Sequence, residues 1–150
     1  IIPGGESTTM SFLLESSGIF ESLQERSIAG MPILGTCAGM ILLSSKIADG
    51  RSDQKPLNLI DIEVRRNGYG RQINSFESDL FIEGFESSFR GVFIRAPLVE
   101  DVSEKVEVIA ELNGRPVMCR QDSTIVTSFH PELADDDRIH AEFLEMASNS

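Results

Sequence analysis

Gly35-Thr36-Cys37-Ala38-Gly39 sets a thiol between glycines at i−2 and i+2, with the apolar runs Met31-Pro32-Ile33-Leu34 before it and Met40-Ile41-Leu42-Leu43 after it. This is the thiol counterpart of the G-x-S-x-G elbow, a sharp strand-to-helix turn that holds a nucleophile out for reaction. Such a turn strains the nucleophile's backbone, and small residues two positions away keep the crossing segments from colliding. At the start of a helix, the dipole and free N–H groups are expected to lower the pKa of Cys37 and to aim the Ala38 N–H at a developing oxyanion. The same five residues also fit a buried cysteine flanked by turn glycines.

A second group is His130-Pro131-Glu132. In an extended chain, side chains at i and i+2 share a side, so Glu132 can hold the His130 imidazole in one tautomer, as the acid of a catalytic triad does. Pro131 biases His130 away from the helical region. The segment directly follows the apolar run Ile125-Val126-Thr127-Ser128-Phe129, and strand ends are where catalytic residues of α/β sheets gather. A strand-end histidine beside a solvated glutamate is the plainer alternative. His140, the other histidine, falls in an acidic C-terminal helix and reads as a solvated residue.

Pro3-Gly4-Gly5-Glu6-Ser7 is a further glycine turn ahead of a helix. No P-loop lysine or G-x-G-x-x-G spacing follows, so a second oxyanion donor at Gly5, with Glu6 and Ser7 beside a polar substrate, fits better than phosphate binding. Arg66 and Arg95 could each grip a carboxylate through a guanidinium fork, although a solvated or salt-bridged arginine is an ordinary sight in an acidic chain. Cys119, in Val117-Met118-Cys119, reads as a small core residue.

The elements that must position these groups alternate. Glu6-Ser7-Thr8-Thr9 offers capping hydroxyls to a helix with Met10, Leu13 and Leu14 at helical spacing, ending at Gly18. Ile19, Phe20, Leu23 and Ile28 outline a second helix ending at Gly30, then a buried strand at 31–34 leads through the glycine elbow into an apolar helix. Residues 49–55 read as a polar surface loop. Segments 57–65, 76–83 and 91–96 have strand texture, and Asn113-Gly114 inside 106–128 marks a hairpin. Asp135-Asp136-Asp137 open a terminal helix in which Ile139, Phe143, Leu144 and Met146 are expected to face the core.

Composition sets the outer bounds. The 150 residues are one domain's worth, 41% hydrophobic and 25% charged, with a formal net charge of −11 that disfavours nucleic acid and anionic membrane surfaces as partners. No apolar run approaches the roughly 18 residues of a membrane span, and no leader pattern is present, so the cytoplasm is the expected location. Two cysteines make no disulfide framework, and neither has metal-ligand spacing. Ile1-Ile2, running straight into the first turn, looks like the end of a buried strand, so 1–150 is expected to be one domain of a longer protein, truncated at its front.

Gly-x-Cys-x-Gly at 35–39 with His130-x-Glu132 far downstream resembles the class I, triad-type glutamine amidotransferases. Pro3-Gly4-Gly5-Glu6-Ser7-Thr8-Thr9-Met10, Gly91-Val92-Phe93-Ile94-Arg95-Ala96-Pro97, Ser128-Phe129-His130-Pro131-Glu132-Leu133, Arg66-Asn67 and Gly70-Arg71-Gln72 narrow the likeness to the glutaminase subunits of pyridoxal 5′-phosphate synthases. The resemblance spans essentially the whole chain. It implies a three-layer, flavodoxin-like α/β fold with a central, mostly parallel sheet, whose N-terminal strand and helix are missing from this chain. It implies glutamine hydrolysis through a Cys37 thioester, with His130 and Glu132 completing the triad and oxyanion donors at Gly5 and Ala38. Gly5, Glu6, Ser7, Arg66, Ile94 and Arg95 would line the glutamine site. No metal or cofactor is implied; the implied partner is a synthase subunit that receives the ammonia. A glutaminase of another pathway, such as histidine biosynthesis, a cysteine peptidase of related fold and a non-enzymatic scaffold are the rival readings.

Overall fold

The structure, a computed structural model, describes residues 1–69 and 74–149, so the Gly70-Arg71-Gln72 string lies outside the described residues. Along the chain, α1 (Ser7–Ser16) and α2 (Ile19–Ile28) lead into β1 (Ile33–Thr36), α3 (Ala38–Leu43), β2 (Ser44–Ile47) and β3 (Ile60–Arg65). Then come β4 (Ser75–Leu80), β5 (Phe89–Ile94), β6 (Leu98–Val102), β7 (Glu107–Leu112), β8 (Arg115–Gln121) and β9 (Thr124–Thr127). A 3-10 turn (Pro131–Leu133) and α4 (Arg138–Ser148) complete the order.

One sheet runs β1-β9-β8-β7, a second β2-β3-β6, and β4 pairs with β5 as a ribbon. Ile2 extends the first sheet by a parallel bridge to Gly35. Its N–H donates to the Leu34 carbonyl at 2.8 Å, and its own carbonyl accepts from the Thr36 N–H at 3.0 Å. Among the described residues, parallel pairing is confined to this edge, to β1 with β9 and to β2 with β3, and the other ladders are antiparallel. The sheets are therefore mixed. Tight turns force that outcome: Asn113 and Gly114 at φ 53° and 73° return β7 directly into β8. Asp122, at φ 51°, opens a second short turn between β8 and β9, which no glycine announces in the sequence.

Alternation along the first sheet feeds two cores. Ile33, Cys119 and Val126 join α3 and the second sheet in one cluster. Leu34, Met118 and Ile125 join β5 and α4 in the other. A sheet buried on both faces explains the near-continuous apolar runs of β1 and β9. Cys119 is the fully buried core residue that its context implies.

Two helices differ from the expected pattern. In α1 the buried positions are Ser7 and Ser11, while Met10 and Leu14 pack from the side and Leu13 faces solvent. Ser11 Oγ donates to the Lys55 carbonyl, so this face is satisfied by the 49–55 loop and not by apolar packing. In α4, Ile139 and Phe143 are buried and Met146 packs on the core, but Leu144 is 61% exposed. Arg138 fixes the start of that helix. It pairs with Asp136, donates to the Ser87 and Ser88 carbonyls and lies 4.7 Å over the Phe85 ring.

Phe143→Ala in the full-length chain should therefore cost about 3 kcal/mol of stability, whereas Leu144→Ala should stay within about 0.5 kcal/mol. Denaturant melts of the two variants check this, and equal losses would show that α4 is rotated from the packing described.

Candidate active site

The elbow is built as its glycines require. Cys37 has φ 53° and ψ −105°, a conformation strained for any side chain. Its N–H donates to the Thr127 carbonyl of β9 at 2.8 Å, which holds that geometry in place. A Cβ on Gly35 would strike Leu43 and the Gly39 backbone, and one on Gly39 would strike the Ile2 carbonyl. Neither position has room for a side chain.

Across from the thiol, the His130 N–H donates to the Val92 carbonyl of β5 at 2.8 Å. His130 Nδ1 lies 2.7 Å from Glu132 Oε1. The pairing foreseen from the i, i+2 spacing is present, but the local conformation is not the extended one expected. Pro131 opens a 3-10 turn, and His130, at φ −103° and ψ 89°, precedes it. Glu132 still reaches the imidazole, because His130 stands outside the turn as its N-cap and its side chain does not follow the helical rotation. In the tautomer that donates Nδ1–H to this carboxylate, Nε2 is the acceptor.

A cavity of about 340 Å³ joins these groups. Cys37, Ala38 and His130 form one wall, Gly5, Glu6 and Ser7 of the α1 entry another, and Arg66, Ile94 and Arg95 a third. Nine of the ten expected residues thus meet around one space, and Glu132 stands behind His130. Ile41 and Asn67 also line it and were not foreseen. Ile41 lies one helical turn beyond Cys37, so i+4 spacing could have pointed to it. Asn67 is at φ 48°, a left-handed position that asparagine tolerates.

The electrostatics correct one expectation. Burial pushes the Cys37 thiol above its ordinary value. The Ala38 N–H draws it down, the Glu132 carboxylate pushes it further up, and Arg95 draws it down again. Desolvation outweighs the helix start, and α3 is too short to compensate. The protonated thiol instead donates toward the Ile94 carbonyl at 3.8 Å.

Glu6 also differs from expectation, since its carboxylate and not a hydroxyl caps α1. It accepts from the Thr8 and Thr9 N–H groups at 3.1 and 2.6 Å. Those bonds, Thr9's above all, hold its pKa at about 2. The cap's contribution is complete above the ordinary value of 4.5 and is lost as pH falls from there towards 2. Among the described residues, no cluster of three His, Cys, Asp or Glu could hold a metal ion, and no helix is long and apolar enough to cross a membrane.

The chain belongs to the SNO glutamine amidotransferase family, whose model matches residues 1–149. Among its relatives, the pyridoxal 5′-phosphate synthase subunit PdxT of Streptomyces griseus is 55% identical over 97% of this chain and 75% of its own length. PdxT of Mycobacteroides abscessus is 52% identical over 97% of this chain and 76% of its own. A glutamine amidotransferase crystal structure superposes with a TM-score of 0.92 at 46% identity, covering 97% of this chain and 77% of that one. A Thermotoga maritima glutamine amidotransferase shares the fold at a TM-score of 0.58 and 13% identity, over 97% of this chain and 59% of that one.

Because its thiol is pushed up by burial, Cys37 in the isolated chain should alkylate with iodoacetamide at a rate still rising above about pH 8.5, the ordinary cysteine value. Removing the cation with Arg95→Gln should slow alkylation at pH 8, and Glu132→Gln should speed it. A rate already at its plateau by pH 7 would contradict the assignment. Cys119, pushed up to about 12 and buried, should stay unlabelled in the folded chain.

Proposed function

We infer that this chain is a glutamine-hydrolysing enzyme, the glutaminase that supplies ammonia to a pyridoxal 5′-phosphate synthase subunit for vitamin B6 biosynthesis. The observation that carries this reading is the strained Cys37 elbow sharing one cavity with the Glu132-paired His130. Family membership and the names of the PdxT relatives support the substrate and pathway. A cytoplasmic location goes with the same reading.

The proposed reaction starts from the protonated thiol. His130 Nε2 takes the proton as the Cys37 sulfur attacks the side-chain amide carbon of glutamine, so no free thiolate need persist in the buried site. The Ala38 N–H, already directed at the sulfur, and the Gly5 N–H stabilise the oxyanion. His130 returns the proton to the leaving nitrogen, ammonia departs, and a Cys37 thioester remains. Water, deprotonated by His130, then cleaves the thioester to glutamate and regenerates the thiol. Glu132 orients the imidazole and stabilises its cationic form without itself moving a proton. Arg66, Arg95 and Ser7 are donors suited to the α-carboxylate of the substrate.

Full-length chain should hydrolyse glutamine when mixed with its synthase subunit, and a glutamine-analogue affinity label should attach to Cys37. Cys37→Ala should abolish turnover with the fold intact, and His130→Asn should cost more than Glu132→Gln. Cleavage of casein would move the reading to the peptidase, and absence of both activities to a scaffold.

Gly4 gives a separate test. A Cβ there would lie 2.5 Å from His130 Cε1, while the ring is tied by Glu132 and the backbone by Val92. Gly4→Ala should lower kcat at least tenfold with little change in melting temperature. An unaltered kcat would mean that the imidazole is free to move.

A further inference from the structure

The 49–55 stretch reads as a solvated loop, yet Gln54 within it is only 7% exposed. Its side chain reaches two walls of the cavity. Nε2 lies 3.0 Å from Ser7 Oγ, and Oε1 lies 3.4 Å from Arg66 Nη1. Arginine has no acceptor, so the carbonyl end of the amide must face Arg66 and the NH2 end must face Ser7. That order has a chemical consequence. Ser7 Oγ accepts a hydrogen bond from Gln54, which leaves its own O–H free to be donated elsewhere, and Ser7 borders the cavity.

Arg66 is held by the same loop. Its Nη1 also donates to Thr8 Oγ1 at 3.1 Å, its Nη2 donates to the Asp49 carbonyl at 3.0 Å, and its backbone N–H donates to the Asp49 carboxylate at 2.7 Å. Nε faces the Asp49 carboxylate at 3.8 Å as an ion pair, so the guanidinium is anchored on the loop side and one Nη2 N–H is left for a further acceptor. Ser11 Oγ to the Lys55 carbonyl fastens the loop to α1 one turn beyond Ser7.

We propose that Gln54 is a positioning residue of the glutamine site, a buried amide that sets the Ser7 hydroxyl and the Arg66 guanidinium as a joint donor pair for the substrate α-carboxylate. The proposal rests on the glutaminase reading above. Gln54 does not touch the reacting atoms. It acts through Ser7 and Arg66, so its loss falls on substrate binding more than on the chemical step.

The test uses the full-length chain under conditions where it hydrolyses glutamine. Gln54→Met keeps the length and volume of the side chain and removes both hydrogen bonds. The KM for glutamine should rise about tenfold, kcat should change less than about threefold, and Cys37 alkylation by iodoacetamide should stay within about twofold. On a Ser7→Ala background, the same substitution should raise KM by much less than it does alone, because the two residues act in one chain of bonds. An unchanged KM would overturn the proposal, as would an equal effect on both backgrounds. So would a fall in kcat and in cooperative melting together, which would make Gln54 a structural residue only. If the parent chain hydrolyses no glutamine at all, the functional reading itself fails, and the proposal with it.

Discussion

The site depends on one backbone constraint, the left-handed turn at Cys37. A residue at φ 53° and ψ −105° costs roughly 1–3 kcal/mol, and it persists only where its surroundings leave no relaxed alternative. Here β1 ends against β9, the Cys37 N–H is held by Thr127, and α3 begins at the next residue. Ile2 runs so close to the elbow that only glycine fits at position 39. The central sheet, buried on both faces, is what makes this corner stiff enough to carry the strain.

Burial that stiffens the corner also disfavours the charged thiolate. Desolvation at Cys37 exceeds the help from the Ala38 N–H, so its side chain rests as a thiol hydrogen-bonded to Ile94. On the proposed function, attack by that thiol calls for an imidazole base. The pairing of Glu132 with Nδ1 supplies one with its other nitrogen available. A six-residue helix packed inside a core has little field to offer against loss of solvent, so the glycine elbow alone does not make the thiol acidic.

Local signals were legible where the chain's own covalent geometry decides the outcome. The glycine elbow, the His130 and Glu132 pairing and the Asn113-Gly114 hairpin all rest on spacings of one to four residues. Tertiary context decided what was missed. Nothing near Gln54 in sequence distinguishes it from its solvated neighbours, because the groups that bury it come from α1 and from the end of β3. The buried face of α1 was misjudged for the same reason: Ser7 and Ser11 are inward because a polar loop covers them. Leu144 fits a helical apolar stripe, yet lies past its edge in space.

Strand β5 holds both His130 and Cys37 by its carbonyls. Val92 accepts from the His130 N–H, and Ile94 accepts from the Cys37 thiol. Two residues along a strand span about 6.6 Å, a length fixed by bond lengths and angles. The strand thus serves as a ruler, and the interval between His130 and Cys37 is gauged by the main chain. Because the contacts are to carbonyls, inserting or deleting a single residue between positions 92 and 94 would change the gauge at once, whatever side chains stand there.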